Sequence, residues 1–137
     1  MEKDKKREII LSHYNNPFNK KVSDGYLVGN SNNESCIDNI NVYLDINDNK
    51  IGDASFDGEA CVISISSTSI MIKLLIGKSI DEVKSILVNY SNMINEIDYD
   101  KNELFDLLVF DDIYLQPHRK TCAMMCVYAI NRILEKL

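Results

Sequence analysis

Three cysteines and one aspartate are the residues of this chain best suited to chemistry: Cys36, Asp38, Cys61 and Cys122. A tetrahedral zinc or iron site takes thiolate, imidazole or carboxylate donors at its four corners, so three thiolates and one carboxylate satisfy it. The spacing alone is not diagnostic, because there is no CxxC pair and intervals of 25 and 61 residues separate Cys36, Cys61 and Cys122. A free cysteine is more often a small buried hydrophobe, which is the plainer reading of Cys61 or Cys122 taken singly. Cys36 differs. Asn32, Asn33, Glu34, Ser35, Asp38 and Asn39 surround it and only Ile37 offers apolar contact, so a thiol there calls for a chemical explanation. Asp38, two residues on, can turn a carboxylate oxygen to the same side of an extended loop. Helix starts expected after Cys61 and near Cys122 would favour ionised thiols through their positive ends. Cys126 is one helical turn beyond Cys122, among Met124, Met125, Val127 and Ala129, and reads as core. His118 is the remaining rival as ligand or proton carrier, and His13 reads as packing or a partner surface.

The composition bounds what these residues can serve. With 137 residues and 45% hydrophobic side chains, the chain is expected to form one domain, residues 1–137, that buries its core without disulfides. Met1 leads directly into Glu2, Lys3 and Asp4, and no 18-residue apolar run is present. The expectation is a cytoplasmic protein with no membrane partner. In that reducing compartment four cysteines read as thiols, ligands or nucleophiles. A net charge of -6, with 21 acidic against 15 basic residues, argues against nucleic acid as a partner.

The elements that must position the candidates follow from periodicity. Residues 4 to about 15 predict an amphipathic helix ended by Asn15, Asn16 and Pro17. The polar stretch Phe18 to Asn39 predicts loop. Strict alternation of Ile40, Val42, Leu44 and Ile46 predicts a strand. A turn at Asn47, Asp48 and Asn49 leads to a second strand, Ile51 to Phe56, and Asp57-Gly58 reads as the next turn before a third strand, Ala60 to Ile63. The hydroxyl run Ser64, Ser66, Ser67, Thr68 and Ser69 reads as the entry to an apolar helix stopped at Gly77. Ser79 and Glu82 form a capping box ahead of the stripe Ile80, Val83, Ile86, Leu87, Tyr90 and Ile94. A short helix near Glu103 to Phe110, a break at Pro117 and a closing helix from Thr121 to Leu137 complete the order. The sum is an α+β fold: a small three-stranded antiparallel sheet with helices packed on one face.

Several stretches, in order, resemble one family. They are His13-Tyr14-Asn15-Asn16-Pro17-Phe18-Asn19-Lys20, Cys36-Ile37-Asp38, Phe56-Asp57-Gly58-Glu59-Ala60-Cys61, the Ser/Thr run with Gly77-Lys78, and Arg119-Lys120-Thr121-Cys122. Together they resemble the iron-sulfur cluster assembly proteins SufU, IscU and the amino-terminal domain of NifU. Arg119, the long interval from Cys61 to Cys122, and Thr121 where IscU proteins carry histidine point to the SufU branch. Where the family has glycine between the first cysteine and the aspartate, this chain has Ile37, a β-branched residue costly at positive φ.

The resemblance implies a zinc ion held by Cys36, Asp38, Cys61 and Cys122, with Cys36 accepting persulfide sulfur from a cysteine desulfurase and Arg119 steadying the site. The chain would then be a sulfurtransferase working with that desulfurase and passing sulfur to downstream iron-sulfur assembly proteins or apo-proteins. The same-family alternative is a scaffold that assembles a [2Fe-2S] cluster from iron on the same ligands. A reading of another class is a non-catalytic, zinc-stabilised binding module.

Overall fold

Complete burial of Ile40, Val42 and Leu44 along one side of the alternating segment fixes the plane on which the rest of the chain packs. The computed structural model describes residues 1–33 and 37–137. Its elements are α1 (Lys3–Asn15), β1 (Leu27–Asn32), β2 (Asn39–Asn47), β3 (Lys50–Glu59), α2 (Val62–Leu75), α3 (Ile80–Ile94), short 3-10 turns at Lys101–Glu103, Phe105–Phe110 and Ile113–Leu115, and α4 (Pro117–Leu134). The sheet has the order β1-β2-β3 and both pairings are antiparallel. Helices α2 and α4 lie against the side that carries Val42, Leu44, Ala54 and Phe56. Asp48 and Asn49, at φ 51 and 62, make the two-residue turn of the β2–β3 hairpin, a conformation that Asp and Asn tolerate better than most residues.

The third strand is not where alternation placed it. Ala60 to Ile63 leaves the sheet and enters α2, and the remaining strand, β1, comes from the polar stretch read as loop. Its inward residues are Gly29 and Ser31, because α4 crosses too closely for anything larger. A Cβ on Gly29 would stand 2.0 Å from the Ala129 carbonyl oxygen, and Ser31 Oγ meets Met125 Sδ at 3.4 Å. A strand whose buried face is Gly and Ser has no hydrophobic period to find. Asp57-Gly58 likewise stays within β3, where Gly58 takes φ 128 and a Cβ would lie 1.9 Å from the Asn39 carbonyl oxygen.

Two helices also differ from expectation. The hydroxyl run is the body of α2, not its entry: Ser64, Ser66, Ser67, Thr68 and Ser69 are all fully buried. Ser66, Ser67 and Thr68 satisfy their hydroxyls on carbonyls of their own helix, at 2.7, 3.2 and 2.7 Å. Small residues there let neighbouring helices approach. Helix α4 begins at Pro117, whose missing N–H costs nothing in a first turn, so the proline starts the helix where a break was expected. The capping box of Ser79 and Glu82 and the buried stripe of α3 are as predicted. No described helix is long and apolar enough to cross a membrane.

Helix α1 docks without a fully buried residue of its own. Lys6 pairs with Asp111, and His13 Nδ1 lies 2.7 Å from Ser69 Oγ, which also accepts the Phe18 N–H at 2.8 Å. One serine hydroxyl thus ties α2 both to the His13 ring of α1 and to the backbone that follows the helix. Burial, then the nearby Lys73 ammonium, lower the His13 pKa below its ordinary 6.5, with Asp106 opposing.

Two expected outcomes follow from this packing. Gly29→Ala should cost about 3 kcal/mol or more in denaturant unfolding, because the backbone of α4 must move. Because the unfolded chain protonates His13 more readily, the stability this group contributes is complete above its ordinary pKa and is lost as pH falls towards the folded value. The urea midpoint should therefore drop further between about pH 7.5 and about pH 5.5 for the wild type than for His13→Gln.

Candidate metal centre

The six residues joining β1 to β2 follow the pair Asn32↔Asn39 and include Asp38, and the Asn33 N–H donates to the Asp38 carbonyl at 3.0 Å. This brings Asp38 to the end of the sheet where β3 runs out at Glu59 and the chain turns into α2. Asp38 is only 2% exposed. Its Oδ1 accepts the Cys61 backbone N–H at 2.9 Å and its Oδ2 accepts the Ser64 hydroxyl at 2.8 Å. Cys61 is the N-cap residue of α2 and does not cap with its own side chain, and the carboxylate receives one free backbone donor at the positive end of that helix, the Cys61 N–H, together with the Ser64 hydroxyl.

Helix α4 brings the third donor. Cys122 lies in its second turn, not at its start, and is 4% exposed, with its thiol 3.8 Å from the His118 carbonyl. One donor atom each from Asp38, Cys61 and Cys122 all lie within 4.8 Å of one another. Burial, then hydrogen bonding to Cys61 and its charge, then Asp38, push the Cys122 thiol up to about 12. Cys61 is half-buried, which leaves the cluster an opening. Of the two helix starts expected to favour ionised thiols, the one after Cys61 is present, with Cys61 at the N-cap of α2 and the Asp38 carboxylate beside it, whereas Cys122, in the second turn of α4, gains no such help.

The donor set suits a cation. Asp38 is a buried carboxylate with two neutral donors, and among the described residues no Lys or Arg pairs with it. Each of its oxygens keeps a lone pair beside two sulfurs, a mixture that borderline metals such as zinc accept. Three residues of the four expected ligands are thus brought together, and Cys36 lies outside the described residues.

The rivals stand elsewhere. Cys126 is fully buried in the core, its thiol pushed up to about 12 by burial, and its sulfur faces the Ala123 carbonyl at 3.8 Å. His118 is exposed and is not part of the cluster of donors among the described residues. Arg119 sits in the first turn of α4, half-buried, and forms no ion pair among the described residues. Sequence reasoning took Ser64 only as a helix-entry hydroxyl. The available signal was its place three residues after Cys61, the position whose side chain lies beside a helix N-terminus.

Comparison with known proteins agrees with this architecture. The NifU-like N terminal domain family matches residues 5–135. The zinc-dependent sulfurtransferase SufU of Bacillus subtilis (strain 168) is 32% identical over 131 residues, covering 95% of this chain and 89% of that protein. The iron-sulfur cluster assembly scaffold protein IscU of Thermotoga maritima is 30% identical over 131 residues, covering 95% and 92%. The crystal structure of FiSufU, of the SUF system of Fervidobacterium islandicum AW-1, superposes with a TM-score of 0.89 at 28% identity, over 93% of this chain and 94% of that one. The N-terminal part of a NifU-like protein from Brucella abortus has the same fold, at a TM-score of 0.84 and 18% identity, over 93% and 90%. The sheet, the order of elements and the matched span lead to one conclusion: this chain belongs to the NifU-like N-terminal domain family.

Proposed function

We propose that this chain, as one domain of residues 1–137, is a zinc-dependent sulfur acceptor of iron-sulfur cluster assembly that takes persulfide sulfur from a cysteine desulfurase in the cytoplasm. The observation that carries the reading is the convergence of Asp38, Cys61 and Cys122 donors within 4.8 Å, at the end of the sheet nearest the Cys36 connection. Cys36 is two residues from Asp38, so covalent geometry keeps its Cα within about 7.6 Å of the Asp38 Cα. Cys36, Asp38, Cys61 and Cys122 would hold the ion. When bound, zinc keeps thiols deprotonated near neutral pH and ties the β1–β2 connection to α2 and α4.

The chain's own residues then divide the work. Asp38 supplies a charge fixed by the α2 N-terminus, and Cys61 and Cys122 anchor the two helices. The Cys36 thiolate attacks the outer sulfur of the desulfurase persulfide. One sulfur–sulfur bond forms as another breaks, the desulfurase cysteine leaves as a thiolate, and no external oxidant or reductant is consumed. Arg119, three residues before Cys122 and without an ion-pair partner among the described residues, would steady the incoming negative charge. Sulfur then passes to downstream assembly proteins or apo-proteins.

A second reading has support of its own, since the Thermotoga relative is a cluster assembly scaffold at nearly the same identity as the Bacillus sulfurtransferase. Anaerobic reconstitution with iron and sulfide separates the two. A sulfur acceptor keeps its zinc and gives no [2Fe-2S] spectrum, whereas a scaffold gives one.

Two measurements check the proposal. Cys36→Ser should bring desulfurase turnover down to the level of the desulfurase alone, and unchanged stimulation would remove Cys36 from the role. Purified Cys122→Ala should lose its zinc, whereas Cys126→Ala should keep the wild-type metal ratio at a stability cost of about 1 kcal/mol.

A further inference from the structure

Ser64 is fully buried and its hydroxyl oxygen reaches all three donor residues of the candidate centre. It lies 2.8 Å from Asp38 Oδ2, 3.2 Å from the Cys122 carbonyl oxygen and 3.6 Å from Cys61 Sγ. Ser66, Ser67 and Thr68 turn their hydroxyls back onto carbonyls of their own helix, as serines needing only satisfaction do. Ser64 instead spans the β1–β2 connection, the start of α2 and the second turn of α4.

The hydroxyl has one hydrogen and three neighbours. The short, charged acceptor takes it, so Ser64 donates to Asp38 Oδ2. The Cys61 thiol then has the Ser64 lone pair as an acceptor. Asp38 Oδ1 is already tied to the Cys61 N–H at 2.9 Å. With both oxygens held, the carboxylate cannot rotate about its Cβ–Cγ bond, and each oxygen presents its remaining lone pair in one fixed direction.

We infer that Ser64 is the positioning residue of the centre, fixing the Asp38 carboxylate in the orientation that a metal requires. The inference rests on the metal reading above and adds to it a residue outside the four ligands. Hydroxyl or amide groups that orient ligating carboxylates are worth roughly 10- to 100-fold in metal affinity. Ser64 also stands at the junction of the three segments that supply the donors, so its loss should loosen the geometry without unfolding the chain.

The test is a double-mutant cycle on zinc affinity, measured by chelator competition on the full chain for wild type, Ser64→Ala, Asp38→Ala and the double variant. Ser64→Ala should weaken zinc binding about 10- to 100-fold when Asp38 is present and hardly at all in the Asp38→Ala background. The cobalt(II)-substituted protein should show a shifted absorption band in Ser64→Ala, and its metal-free form should stay folded with a lowered unfolding midpoint, because the buried Asp38 carboxylate loses one of its two donors. Wild-type affinity in Ser64→Ala, or an equal loss in both backgrounds, would mean that Ser64 only packs, and would overturn the inference while leaving the metal reading intact. A wild-type chain that binds neither zinc nor cobalt, or an Asp38→Ala chain that binds as tightly as the wild type, would overturn both.

Discussion

A buried carboxylate is expensive, and the site is arranged around how Asp38 is compensated. Moving a carboxylate out of water costs several kcal/mol even after relaxation, and two neutral hydrogen bonds recover only part of that. The donors come from the Cys61 backbone and the Ser64 hydroxyl at 2.9 and 2.8 Å, at the positive end of α2. The described residues include no cationic side chain paired with this group. A cation bound between the carboxylate and the two nearby sulfurs would supply the missing charge, and folding stability and metal affinity would then be linked through one residue.

The remainder of the fold can be understood as what lets three distant segments meet at that carboxylate. Gly29 and Ser31 on β1 give up side-chain volume so that α4 can lie close to the sheet and carry Cys122 to the site. The buried hydroxyls of α2 do the same for the helix at the centre of the molecule, satisfied internally where they do not make contacts across elements. Gly58 holds β3 against Asn39, one residue from Asp38, where a side chain would collide with backbone. Close approach, not large hydrophobic area, is what these positions contribute. The hydrophobic work is done elsewhere, by Phe56, Met71, Leu75, Tyr90 and Phe110.

This division explains what could be read from the sequence. Elements stabilised by large periodic side chains were legible: β2 from its alternation, α3 from its stripe and capping box, the β2–β3 turn from Asp48 and Asn49. Elements defined by smallness were not. Strand β1 shows its buried face as Gly and Ser, which in sequence looks like loop, and Gly58 looks like a turn residue until the neighbouring backbone is seen. Pro117 carries two meanings, a helix break or a helix start, and only the packing of α4 distinguishes them. At the site, residue types and motif likeness pointed to Asp38, Cys61 and Cys122, but their convergence depends on long-range contacts that no local pattern encodes. Ser64 stayed hidden because its role is defined entirely by what lies across from it.

The most direct test of the metal account is X-ray absorption at the zinc edge of freshly purified protein that has met no chelator. The account predicts zinc in a four-coordinate shell of three sulfurs at about 2.3 Å and one lighter donor at about 2.0–2.2 Å. A shell built only of nitrogen and oxygen, or one containing a single sulfur, would contradict it.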